Sequence, residues 1–189
     1  MTRAAIQKTS TESPVKDMVY IALFAALTAV CSWITIPFTV PFTLQTFGVF
    51  MAAEVLGGKR GSLSVLVYIL LGAAGLPVFS GFRGGPGVLL ASTGGYIIGF
   101  LAGILVMWLL ESITGKVPFG NLLRMISGLI VCYAFGTAWF MHVYSSANGP
   151  TALMTVLGWC VFPFIIPDLA KIILVSVLAP RIRKLAGIH

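Results

Sequence analysis

Long apolar runs follow one another along this chain, and Lys and Arg gather only in every other gap between them. Arg3, Lys8 and Lys16 precede the first run, and Lys59 and Arg60 lie between the second and third. Lys116 and Arg124 lie between the fourth and fifth, and Arg181, Arg183 and Lys184 follow the last. Cytoplasmic loops of membrane proteins collect Lys and Arg, so the alternation predicts an even number of crossings with both termini cytoplasmic. Glu12, Asp17, Glu54 and Glu111 fall in the same half. Arg83, Asp168 and Lys171 are then the only strong charges placed elsewhere, and function is sought among them.

A mean hydropathy of +1.02 with 9% charged residues is far from a soluble domain, where about a quarter of residues are charged. The chain is predicted to be an all-α integral membrane protein of the cell membrane, a single membrane domain over residues 1–189. Residues 1–16 form a cytoplasmic N-terminal segment, and residues 17–182 a bundle of six transmembrane helices. The net charge of +7 is dispersed as pairs and triplets at helix ends. That pattern orients the bundle and meets anionic headgroups rather than nucleic acid. Cys31, Cys132 and Cys160 lie in apolar stretches without CxxC or metal-ligand spacing and read as buried free thiols. The polar N-terminal stretch and the long run after it argue for a retained first helix rather than a cleaved signal peptide.

The first helix is predicted over residues 17–36, about twenty residues and long enough to span about 30 Å of hydrocarbon. Pro37 ends it, and the repeated Pro-Phe-Thr of residues 37–43 forces an extended outer loop. Short helices are predicted over residues 44–56 and 62–76, with residues 57–61 turning the chain. Residues 77–95 form a Gly-rich outer loop between helices 3 and 4. The fourth helix reaches Glu111 with Gly95, Gly99 and Gly103 on one close-packing face, and the fifth covers residues 122–144. Pro163 and Pro167 break the stretch 151–167 into a dipping or interfacial piece, and a short last helix covers residues 168–178.

Lys171 lies ten residues before Arg181, which puts it about 15 Å deep along a helix. A charge there costs roughly 2.5–3.5 kcal/mol on insertion scales, so it must face a partner or a wet cavity. Asp168 lies at i,i+3 on the same face. The pair either holds the last helix in register or serves a solute, and the nearby prolines favour the second, because interrupted helices present polar groups inside membranes. Arg83 is either an exposed loop cation or part of a lid, since five glycines from Gly75 to Gly87 let the loop fold close over a ligand. Gly57-Gly58-Lys59-Arg60 lacks the spacing of a phosphate-binding loop, and no GxSxG or HExxH is present. An enzyme is therefore not indicated, and His142 reads as structural. Two overlapping AxxxA spacings, Ala22/Ala26 and Ala25/Ala29, serve either internal packing or docking of a partner.

The segments Pro37-Phe38-Thr39-Val40-Pro41-Phe42-Thr43-Leu44-Gln45-Thr46, Leu56-Gly57-Gly58-Lys59-Arg60-Gly61 and Gly75-Leu76-Pro77-Val78-Phe79 stand in order along the chain. Thr93-Gly94-Gly95-Tyr96-Ile97-Ile98-Gly99-Phe100 and Pro167-Asp168-Leu169-Ala170-Lys171 complete the series. Together they resemble the BioY family, the biotin-binding S components of energy-coupling factor (ECF) vitamin transporters. The resemblance implies a six-helix bundle that binds biotin near its outer face and docks on a transmembrane T component driven by two cytosolic ATPases. It implies that Ala22 and Ala26 form the docking face, that Asp168 and Lys171 line the biotin pocket, and that the Gly-rich loop caps it.

On this reading Asp168 accepts from the ureido N–H groups or orients Lys171, and Lys171 or Arg83 meets the carboxylate. Phe79, Tyr96 and Trp159 pack on the ring and tail, and Gly84 and Gly85 belong to the cap. Biotin is the ligand; no metal or cofactor is implied, and ATP is used by the partner subunits alone. The main rival function is a self-sufficient proton-coupled secondary carrier of a small anionic solute, in which Asp168 takes protons, and a second is a small membrane enzyme using His142 and Asp168.

Overall fold

The computed structural model describes residues 14–37, 40–114 and 119–188. Arg3, Lys8, Glu12, Lys116, Phe38 and Thr39 lie outside them. The regular structure of the described chain is helical apart from one two-stranded hairpin. In order it comprises α1 (Pro14–Trp33), β1 (Thr35–Ile36), β2 (Phe42–Thr43), α2 (Gln45–Leu56), α3 (Gly58–Ala73), α4 (Pro86–Leu90), α5 (Gly94–Thr114), α6 (Gly120–Asn148), α7 (Leu153–Cys160) and α8 (Phe162–Leu185). Among the described residues α1, α5, α6 and α8 are long and apolar enough to cross a membrane.

α2 spans about 18 Å at 1.5 Å per residue, too short for an upright crossing. Its neighbours supply what length does not: ten of its twelve residues are buried, with α1, α3, α5 and α8 packed around it. A helix apolar on every side belongs in the middle of a bundle. Gly48 permits the approach to α1, since a Cβ there would stand 2.9 Å from the Thr28 Cα, and a Cβ at Gly61 of α3 would stand 2.8 Å from the Ala52 carbonyl oxygen.

α1 ends at Trp33, short of the predicted residue 36, because Thr35 and Ile36 are extended and pair with Thr43 and Phe42 in a hairpin; of the predicted extended segment, Phe42 and Thr43 are strand. The turn between α2 and α3 is tighter than predicted. Gly57 alone makes it, at φ +80°, and Gly58 through Gly61 already belong to α3. The Gly95–Gly99–Gly103 face meets α6, where added Cβ atoms would strike Trp139, Cys132 and the Gly128 carbonyl.

The last part of the chain corrects the sequence expectation. Backbone regularity fails at Val161 (φ −126°, ψ −58°), between the short α7 and a 24-residue α8. Pro163 falls in the first turn of α8, where no intrahelical N–H is needed. Pro167 sits one turn further, where it removes a single backbone hydrogen bond, and the helix continues through it. Asp168 and Lys171 therefore stand inside a continuous helix, seven and ten residues beyond the break.

Side-chain charges gather at the end of the bundle opposite the hairpin. Arg124 grips Glu54 with Nη2 at 2.7 Å and Nε at 3.3 Å. Arg60 pairs with Asp17 at 3.1 Å, and Glu111 accepts the Gly58 N–H at 3.0 Å, capping α3. Cys31, Cys132 and Cys160 are buried free thiols.

Candidate functional site

Where the hairpin, the Gly-rich loop and the ends of α5 to α8 converge, they enclose a cavity of about 700 Å³ counted out through its mouth. A mostly apolar wall with a few polar groups is usual for small-molecule sites. Phe79, Tyr96, Ile97, Phe100 and Phe164 supply the apolar wall. Thr43, Gln45, Thr46, Arg83, Tyr133, Asp168 and Lys171 supply the polar groups.

Lys171 and Asp168 are both buried, at 6% and 3% exposure, with Nζ 2.7 Å from Oδ1. The ammonium also donates to the Thr43 carbonyl at 2.7 Å and to Thr46 Oγ1 at 3.1 Å. Its three protons are thus engaged, and its open side lies 4.5 Å from the centre of the Phe42 ring, which stacks on Phe164. Asp168 Oδ1 further accepts the Thr46 hydroxyl at 2.9 Å, and Oδ2 accepts the Tyr133 hydroxyl. These contacts explain how a charge pair survives at this depth, because each ion has a counter-ion and several hydrogen bonds.

The Gly-rich loop forms the roof. Phe79 and Arg83 pair through their backbones, and the Phe79 ring packs edge-on against Tyr68 at 5.5 Å, lodged over Gly72. Ser32 donates to the Val78 carbonyl, Trp33 Nε1 to the Pro77 carbonyl at 2.9 Å, and Thr35 meets Ser80 at 3.1 Å. The roof is thereby tied to the end of α1. Arg83 is exposed at the mouth and donates through Nε to the Ser80 carbonyl at 3.1 Å. Its terminal nitrogens have no protein partner among the described residues.

Five residues singled out in the sequence, Asp168, Lys171, Arg83, Phe79 and Tyr96, line the cavity. Three do not. Gly84 and Gly85 shape the roof through their backbone: Gly85 donates to the Gly72 carbonyl at 2.7 Å, and Gly84 lies against the Leu76 carbonyl. Trp159 stands off the lining, 39% exposed, with its ring edge-on to Tyr144. His142 is exposed and likewise off the lining. Sequence reasoning missed Thr43, Thr46, Tyr133 and Phe42. The available signal was a hydroxyl or aromatic residue beside or within an apolar run. The two AxxxA spacings separate, with Ala25 and Ala29 packed in the core and Ala22 and Ala26 facing outward.

The profile of the BioY family matches residues 3–187. The chain is 39% identical over 178 residues to the biotin transporter BioY of Thermotoga maritima, covering 90% of this chain and 97% of that one. It is 35% identical over 179 residues to the biotin transporter BioY of Rhodobacter capsulatus, with 89% and 94% covered. A crystal structure at 2.1 Å of the S-component for biotin from an ECF-type ABC transporter is similar at a TM-score of 0.79 and 32% identity, over 90% of this chain and 92% of that one.

Proposed function

The chain belongs to the BioY family, and from that membership we propose that it captures biotin at the outer face of the cell membrane as the S component of an ECF-type importer. A transmembrane T component and two cytosolic ATPases complete the importer and supply the energy. α1, α2, α3, α5, α6 and α8 are the six helices of one membrane domain, with both termini cytoplasmic. The gathering of Asp17, Glu54, Arg60, Glu111 and Arg124 at one end supports that orientation, and the cavity then opens outward.

The observation that carries the binding mode is the inequality between the two cations. Every Lys171 proton is engaged by protein, whereas the Arg83 terminal nitrogens have no protein partner among the described residues. A ligand carboxylate reaches Lys171 only by displacing Thr43 or Thr46, but reaches Arg83 at the mouth without displacement. Arg83 accordingly takes the biotin carboxylate through charge-assisted hydrogen bonds. The ureido ring goes deep, where the Asp168 carboxylate has accepted three hydrogen bonds of about four possible. The remaining place on Oδ2 suits a ureido N–H. Phe79, Tyr96 and Phe100 enclose the apolar ring and tail.

Calorimetric titration with biotin tests the assignment. Lys171→Ala leaves Asp168 without its counter-ion and is expected to weaken binding at least about tenfold, equivalent to about 1.4 kcal/mol. Unchanged affinity would return the pair to a purely structural role.

A further inference from the structure

We propose that Thr46 is a positioning residue for biotin binding, its single hydroxyl fixing Asp168 and Lys171 in the geometry that receives the ligand. The inference rests on the function proposed above. Thr46 Oγ1 donates to Asp168 Oδ1 at 2.9 Å and accepts from Lys171 Nζ at 3.1 Å, while the two charges meet directly at 2.7 Å. The three side chains form a closed triangle. Because an ammonium cannot accept and a carboxylate cannot donate, the direction of each bond in it is fixed.

The hydroxyl is not needed to neutralise either charge. Without it Lys171 keeps Asp168 and the Thr43 carbonyl, and Asp168 keeps Lys171 and Tyr133. What Thr46 adds is one fixed point outside α8 that touches both ions, whereas the Thr43 carbonyl holds Lys171 alone and Tyr133 holds Asp168 alone. Without it the Lys171 side chain, which has several rotatable bonds, can shift relative to the carboxylate. Thr46 belongs to α2, 122 and 125 residues away in sequence, and is itself 7% exposed. Its β-branched side chain has few χ1 choices. Its backbone is held as well: the Gln45 N–H bonds to Thr43 Oγ1 at 3.2 Å, and Gly48, two residues on, is pressed against the Thr28 Cα. Tyr133 holds the other oxygen from α6. Each oxygen of Asp168 is thus set by a hydroxyl from a different helix, which aims the remaining acceptor position into the cavity.

Thr46→Val keeps the shape and removes the hydroxyl, and Thr46→Ser keeps the hydroxyl and removes the methyl. Losing a hydrogen bond to charged groups misplaces both of them, so T46V is expected to bind biotin at least about tenfold more weakly, with T46S close to wild type. In an Asp168→Asn background T46V should add little further loss, since residues acting through one another are not additive. Wild-type affinity in T46V overturns the proposal. So does T46S as weak as T46V, which would make the methyl responsible, or full additivity with D168N. If T46V does not fold, Thr46→Ala against T46S gives the same comparison. Lys171→Ala run in parallel separates the two levels: if it binds normally the site assignment itself fails, and if it is weak while T46V is normal, only the role of Thr46 falls.

Discussion

Asp168 accepts the Lys171 ammonium at 2.7 Å within a single turn of α8, and both side chains are almost wholly buried. A buried pair of this kind is worth little against an apolar replacement, but losing one member strands the other. Asp168→Ala should therefore destabilise the protein by about 3–5 kcal/mol in detergent unfolding, while the double variant Asp168→Leu/Lys171→Met recovers most of that loss. A double variant as unstable as D168A would show that the surrounding hydroxyls, rather than the stranded ammonium, set the cost. Binding should be lost in both.

The carboxylate assignment separates the two cations. Arg83→Gln should weaken binding of biotin by about tenfold or more, in line with the loss of a charge-assisted contact, yet leave the uncharged biotin amide nearly unaffected. Calorimetry with both ligands reads the difference. Equal losses for the two would place the carboxylate elsewhere.

Gly84 is in the roof because nothing larger fits. A Cβ there would stand 2.2 Å from the Leu76 carbonyl and 2.8 Å from that of Gly75, and neither backbone oxygen can rotate away. Gly84→Ala is expected to displace the loop that carries Phe79 and Arg83, with lower biotin affinity and faster proteolysis between residues 77 and 91. Gly87→Ala, which meets nothing within 4 Å, is the matched control and should behave as wild type.

Substitutions on the outward face of α1 test whether delivery uses a surface apart from the binding site. Ala22 and Ala26 are exposed and remote from the cavity lining. Bulky substitutions such as Ala22→Leu/Ala26→Leu should leave biotin affinity of the isolated chain unchanged and abolish uptake into liposomes containing the T component and ATPases. Uptake by this chain alone, driven by a proton gradient, would instead favour a self-sufficient carrier.

The membrane character, the glycine face of α5, the extended Phe42–Thr43 and the Asp168–Lys171 pair were all legible in the sequence, because each depends on local spacing. Gly99 and Gly103 announce close packing at spacing four, and α6 meets them there. The start of α8 was not legible. Pro163 and Pro167 read as breaks, but proline in the first turns of a helix forfeits little, and packing carries the helix through. Thr46 and Tyr133 were missed for a different reason. Their importance lies in contacts 122 and 35 residues distant, and no local pattern encodes which hydroxyl in an apolar run will face a carboxylate. The two alanine spacings on α1 could be told apart only once their opposite faces were seen.

Titrating the purified wild-type protein with biotin, and in parallel with thiamine, riboflavin and lipoate, tests the central claim most directly. Tight single-site binding of biotin, with no measurable heat from the other three, is the predicted result. No binding of biotin, or comparable binding of another of these solutes, would contradict it.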